Sequence, residues 1–312
     1  METDEMKDIL KSIMFSKIKY GLTIFAYVKE NENYILKKFL INDELCSNIK
    51  SIINSVVEGK FLSEDCKVDI IDNISDDRKV FYEIVQNDDF CPFKIINNYK
   101  NVNDVYSEKE QDSLVGLLFR INLNDQEIWF YQHIYPVRMI KRSKSLYAML
   151  NGNTYVTLDR DILKIDSRFD FLIINESIIT SNIKLLQTSF GFDKYIRSEA
   201  EKTISIISEL DIVSDTEKIF AFSDKQKLTN AKKLLKAKNS PVLNMKKDEL
   251  INGLKKHPRY KDKFKFKDKK IVINSQKDVN ELIKMLNDDI VRSELTNREY
   301  DSSTKYILEP LK

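Results

Sequence analysis

The chain has 312 residues, 42% hydrophobic and 32% charged, with 51 Lys and Arg against 49 Asp and Glu for a net charge of +2. With 17 Phe and 14 Tyr, this composition excludes a disordered polymer and bounds the fold at one large core or two modest ones. No run of about 18 apolar residues occurs, so a membrane-spanning helix is excluded.

The start, METDEMKDILKSIMF, is acidic where a secretory leader is basic and has no apolar stretch of its own, so a cytoplasmic location is expected. Its Met6, Ile9, Leu10 and Ile13 recur at helical spacing. KYGLTIFAYVKENENYILKKFLI predicts two strands joined in a hairpin at Asn31-Glu32-Asn33. A helix capped by Asp43 follows, with Leu45, Ile49, Ile52, Ile53 and Val56 as its apolar stripe and Gly59 as its end. Residues 61–111 alternate strand-like pieces such as KVFYEIV with Asp- and Asn-rich connections. SLVGLLFRINL and EIWFYQHIYPVRMI, separated by Asn124-Asp125-Gln126, predict a second hairpin. Pro136 moves its second arm off the sheet centre or to an edge.

The polar run from Lys141 to Lys144 suggests a boundary, dividing the chain into an N-terminal α/β domain at 1–142 and a C-terminal domain at 143–312. Beyond it TYVTLD, DILKID, FDFLIIN and ESIITSN predict four short strands in a meander. From Phe192 the pattern turns helical. Ile196, Ala200, Ile204, Ile207 and Leu210 mark one helix, Leu228, Ala231, Leu234 and Leu235 a second, and MKKDELINGLKK a third that stops before His257-Pro258. KFKFKDKKIVI reads as strand. Ser275 caps a last helix with Val279, Leu282, Ile283, Leu286 and Ile290 inward, and KYILEPL adds a final strand. The expected class is α+β, a mixed α/β chain with hairpins and helices first, then a meander with helices.

Charge is unevenly placed. Between Lys225 and Lys270 stand 17 Lys and Arg and 4 Asp and Glu, a net of +13, which leaves −11 for the rest. On the helix KQKLTNAKKLLKAK the apolar residues share one side, while Lys225, Lys232, Lys233 and Lys236 gather on another. In KFKFK a period of two sends Phe264 and Phe266 one way and Lys263, Lys265 and Lys267 the other. With Lys255, Lys256, Arg259 and Lys261 these residues form a candidate DNA-binding surface. Lysine gives a mobile point charge where arginine would give a fork for base edges, so phosphate contact with little sequence preference is expected. A solvated charge run, a lipid-facing patch or a protein-binding face has the same composition. The acidic remainder of a second copy is another counterpart, and a homodimer is the expected assembly.

LKIDSRFDFLIINESIITSN followed by FGFDKY, the passage QHIYPVRMIKRSK, and MLNDDIVRSELTNREYDSSTKYIL resemble the KwaB family of the Kiwa anti-phage defence system. The resemblance covers about residues 130–310 and includes Leu286, Asn287, Asp288, Ser293, Thr296, Tyr300 and Lys305. It implies a cytoplasmic DNA-binding component of bacterial immunity that works with a membrane-embedded, KwaA-like partner, recruited to the inner face of the membrane.

Other chemistry is thinly supported. Cys46, Cys66 and Cys91 with two histidines make no zinc spacing and read as reduced thiols. GxxxxGK[ST] and GxGxxG are absent. Asp65-Cys66-Lys67 with Asp43 or Glu44 is the weak fragment of a metal-dependent nuclease. Asp288-Asp289 reads as a cap or a core ion pair, and Asp159, Asp161, Asp166 and Asp170 as turn formers. His133 reads as a structural imidazole, and Phe190, Phe192 and Tyr195 as core rather than base-stacking rings. No catalytic residue, metal or cofactor is assigned, and the motifs lean against catalysis.

Overall fold

A computed structural model describes residues 2–15, 20–70, 80–123, 126–141, 148–158, 161–224, 228–238, 240–293, 295–296 and 298–301. The chain divides into two units, Met1–Asp69 with Asp77–Leu185, and Ile70–Asp76 with Leu186–Lys312. The boundary expected at 142/143 therefore falls within the first unit. The hairpin residues Asn124 and Asp125, the linker positions Arg142 to Lys144, Asp159 and the tail KYILEPL lie outside the described residues.

In the first unit α1 (Thr3–Met14) buries Met6 and Leu10, one helical turn apart. β1 (Gly21–Glu30) and β2 (Asn33–Lys38) form the predicted hairpin, with Asn31 at a φ of 55° that short polar side chains tolerate. The cap of α2 (Asp43–Val56) is Asn42 rather than Asp43: its Oδ1 accepts the Leu45 N–H at 2.9 Å. Gly59 does not end the helix. It sits inside a π-helical turn, Val57–Phe61, that continues it.

Next come β3 (Lys67–Ile70), β4 (Val80–Val85), β5 (Leu114–Leu123) and β6 (Gln126–His133). Pro136 then opens a 3₁₀ turn, Pro136–Arg138, so the chain leaves the sheet where expected. The later strands are β7 (Met139–Ile140), β8 (Ala148–Asn151), β9 (Thr154–Thr157), β10 (Ile162–Leu163), β11 (Phe171–Ile174) and β12 (Ser177–Thr180). The main sheet runs β2-β1-β5-β6-β11-β12-β4-β3. The four-strand meander does not form. β9 pairs with β8 and β10 with β7, while β11 and β12 enter the main sheet between β6 and β4.

Both faces of the central strands are covered, which explains buried runs such as Ile128–Tyr131 and Phe171–Ile174. Alternate residues go to opposite sides. Ile24, Ala26 and Val28 join Leu117, Phe119 and Phe130 in the apolar core that includes Met6, Leu10, Ile49 and Ile53 from the helices. The intervening Phe25, Tyr27, Trp129, Tyr131 and Phe171 form an aromatic layer with Phe93 on the other side.

In the second unit α3 (Ile183–Ser189), which begins in the first, leads to α4 (Phe192–Glu209), α5 (Glu217–Asp224), α6 (Thr229–Ala237), α7 (Lys247–Lys256) and a single turn, α8 (Tyr260–Lys263). A hairpin of β13 (Lys265–Lys267) and β14 (Lys270–Val272) precedes α9 (Gln276–Leu286), and β15 (Ile290–Arg292) pairs with β16 (Glu299–Asp301). Ser275 caps α9 as expected, with its Oγ 3.3 Å from the Asp278 N–H and Asp278 Oδ2 accepting the Ser275 N–H at 2.8 Å. The helix stops at Leu286. Ile290 belongs to β15, and Asp288 takes a φ of 52° in the turn between them. The architecture is α+β.

Candidate nucleic-acid interface

The basic segment changes direction twice. α7 ends at His257, whose extended φ and ψ of −67° and 127° are those a residue before proline adopts. The His257 Nδ1 accepts the Arg259 N–H at 3.3 Å, and the one-turn α8 follows. Lys261 and Lys263 consequently lie on helix, and the strand alternation read over residues 263–267 begins only at Phe264. From there Phe264 is buried, Phe266 half-buried, and Lys265 and Lys267 exposed.

Aromatic rings fix this segment to its unit. His257 lies 4.7 Å from Tyr260, Tyr260 stacks on Phe264 at 5.6 Å, and Phe264 meets Phe266 edge-on at 6.4 Å. Burial pushes the Tyr260 hydroxyl up to about 12. Lys255 Nζ lies 5.5 Å from the Phe266 ring, which ties the end of α7 to β13. Lys255, Lys256, Lys261, Lys263, Lys265 and Lys267 are exposed, and none forms a salt bridge among the described residues, although the Lys265 charge joins the hydrogen bonds that lower the Asp278 pKa against burial. The β13 pair is about 7 Å apart on one face, at about 3.3 Å of rise per residue.

The β13–β14 turn departs from the expected continuous strand. Asp268 and Lys269 have φ of 50° and 57°, the left-handed pair of a two-residue hairpin that glycine or asparagine ordinarily fills. Lys269 reaches Asp248 at 3.0 Å, while Lys270 and Lys247 share Asp211 at 2.5 and 2.7 Å. These two lysines hold Asp211 below the usual carboxylate range.

The free ammonium row read on α6 does not form. Lys225 lies outside the described residues. Lys232 is half-buried, and burial lowers its pKa. Lys233 is exposed, with its carbonyl accepting the Asn287 Nδ2 at 3.1 Å. Lys236 pairs with Asp289 at 3.0 Å, both side chains largely shielded, which is the core ion pair anticipated for Asp288-Asp289. Arg259 is also engaged, by Glu281 at 3.3 Å and Glu299 at 3.5 Å. Burial would lower its pKa, but the two carboxylates outweigh burial and raise it. All these partners lie 22 to 54 residues away in sequence, so no local signal announced them.

The remaining candidates have structural surroundings. Asp43 and Glu44 occupy the first turn of α2. Among the described residues no group of three or more His, Cys, Asp or Glu side chains is placed to hold a metal ion. His133 is half-buried with Nδ1 3.1 Å from the Tyr131 hydroxyl, and burial lowers its pKa. Asp166 receives Arg138 at 2.9 Å and Lys164 at 2.8 Å, and buried Asp170 accepts the His133 N–H at 2.9 Å. Phe192 is fully buried and stacked 5.4 Å from Tyr195. Cys46, Cys66 and Cys91 are free thiols, and burial pushes Cys66 and Cys91 up. No helix among the described residues is long and apolar enough to cross a membrane.

Similarity to known proteins extends over most of this architecture. Kiwa protein KwaB of Escherichia coli O55:H7 (strain RM12579 / EPEC) is 21% identical over 318 aligned residues, covering 98% of this chain and 98% of that protein. The alignment reaches into the N-terminal region, where the motifs gave little. No solved structure matches the chain. The sequence model described as Kiwa protein KwaB-like matches residues 111–296, more than half of the chain and inclusive of α7, α8 and β13, and the chain belongs to that family.

Proposed function

We propose that the protein is the DNA-binding component of a Kiwa anti-phage defence system, gripping phosphates with the lysines of α7, α8 and β13. Family membership supports the role in defence. The observation that carries the DNA contact is the six exposed lysines within thirteen residues, none in a salt bridge among the described residues, seated on a buried aromatic stack. Such a surface meets a duplex that offers one negative charge about every 1.7 Å of axis. Backbone contact, low sequence preference and recruitment by a membrane-embedded KwaA-like partner to the inner face of the membrane complete the reading, with a homodimer as the assembly.

A salt-titrated gel shift with duplex DNA tests it. Binding should weaken by about three orders of magnitude between about 50 and 200 mM salt, as expected for about six phosphate contacts. Affinity unchanged by salt, or by replacing Lys255, Lys265 and Lys267 with Ala, would refute the proposed contact.

A further inference from the structure

On the aromatic side of the first unit's sheet lie two adjoining clefts of about 360 and 500 Å³, within the size range of ligand sites. They share Gln86, Phe93, Asn97 and Asn175, so they form one groove. Its floor in the first cleft is apolar, with Trp129, Ile173 and Ile174 beside Phe93. The rim is rich in carboxamides with spare hydrogen-bonding capacity. The side chains of Asn97 and Asn175 make no hydrogen bond among the described residues. Gln86 and Gln126 use only their oxygens, toward Cys91 at 3.6 Å and Ser12 at 3.2 Å.

The chemistry narrows the occupant. A nucleobase or a sugar would need an open aromatic face, but Trp129 is 4% and Phe93 2% exposed. Tyr99, the other ring, has the Arg120 guanidinium 4.3 Å from its centroid. A phosphate group would need cations. The second cleft offers Lys94 alone, against Asp88 and Glu176, neither of which pairs with a cation among the described residues. In the first cleft Glu127 is ionised, because hydrogen bonds from Arg120 and Tyr99 outweigh burial and lower its pKa. What remains is a ligand with repeating amide donors and acceptors and positive charge.

We infer that this groove docks an extended peptide segment of another protein, its backbone held by Gln86, Asn97, Gln126 and Asn175 and a basic side chain directed to Asp88 and Glu176. The assignment is independent of the DNA-contacting lysines.

The test uses the full chain and a phage-displayed library of random dodecapeptides, with selected sequences remeasured by fluorescence polarisation. Asn97→Ala removes one carboxamide from an exposed position. Asn175→Gly removes the other where the φ of 53° suits glycine, so the fold is preserved. Selected peptides should carry Lys or Arg, lose about tenfold in affinity on each of these substitutions, and lose about tenfold again on Glu176→Lys. DNA binding by the same variants should be unchanged. Selection of acidic sequences, equal affinity for wild type and the double variant, or displacement of the peptide by a single-stranded oligonucleotide would each overturn the inference, as would failure to enrich any sequence.

Discussion

The salt dependence of the proposed DNA binding separates two surfaces that the sequence alone treats alike. Each phosphate neutralised contributes about 0.9 to the slope of log affinity against log salt, so six lysines predict a slope of about −5. Replacing Lys255, Lys265 and Lys267 by Ala halves the available contacts and should bring the slope to about −3. Replacing Lys232, Lys233 and Lys236 should change it by no more than about 1, since Lys236 is committed to Asp289 and Lys232 is half-buried, leaving Lys233 alone exposed. The assay is equilibrium binding to a fluorescent duplex at five or more salt concentrations, with circular dichroism to confirm folding. A slope that collapses in the α6 variant and survives in the other would refute the assignment, and with it the argument that ion pairing removes Lys236 from the surface.

Other outcomes follow from single positions. Lys269→Gly relieves a left-handed φ and gives up one exposed ion pair to Asp248, so urea unfolding should show a gain of about 1 kcal/mol; a loss would contradict the strain assigned to that turn. Gly116→Ala would place a Cβ 2.4 Å from the ring of Tyr131, which is fully buried between Phe93 and Phe171, so unfolding should cost about 3 kcal/mol less denaturant work or the chain should fail to fold. Buried Glu199 is held below its ordinary pKa because hydrogen bonds from Lys202 and Lys238 outweigh the effect of burial. A carboxyl depressed in the folded state adds stability that is complete above its unfolded value, about 4.3, and is lost as the pH falls through the folded value. Urea midpoints of wild type should thus drop more steeply below about pH 4 than those of Glu199→Gln, and parallel curves would remove Glu199 from the acid response.

Local pattern was legible wherever it decides the outcome. The hairpins at Asn31 and over β5–β6, the stripes of α4 up to Ile207 and of α9 up to Leu286, the Ser275 cap and the stop at His257-Pro258 depend on a few adjacent residues, and all of them form. What failed depends on partners far along the chain. The units TYVTLD and FDFLIIN look alike as short apolar runs, yet one joins an isolated hairpin and the other the centre of the main sheet. Periodicity reports that a strand has a buried face, not which strand will cover its edge. The basic segment shows the same limit. Helical phase correctly separated lysine from leucine on α6, but Asp289, which neutralises Lys236, comes from beyond α9. The groove was invisible because its carboxamides come from four separate stretches of the chain and its floor looks like ordinary core.

Several residues within the stretches that carry the family resemblance act as joints. Gln132 is fully buried, and its amide nitrogen donates to the carbonyls of Asp166 at 2.8 Å and Arg168 at 2.6 Å, while its oxygen accepts the Asp166 N–H at 3.2 Å. Arg138 bonds Asp166 and the His133 carbonyl, and Asp170 takes the His133 N–H and the Asn182 amide at 2.9 Å. QHIYPVR and DSRFD thereby lock the end of β6 to the approach of β11, and a half-satisfied version of this buried network would be worse than an apolar one. Asn287 and Asp289 do the same in the second unit by holding α6. None of the six exposed lysines belongs to these stretches. Charge-removing variants of Lys256, Lys261 and Lys267 therefore leave these buried networks intact, so a loss of phage resistance in such variants would report on the surface and not on the fold.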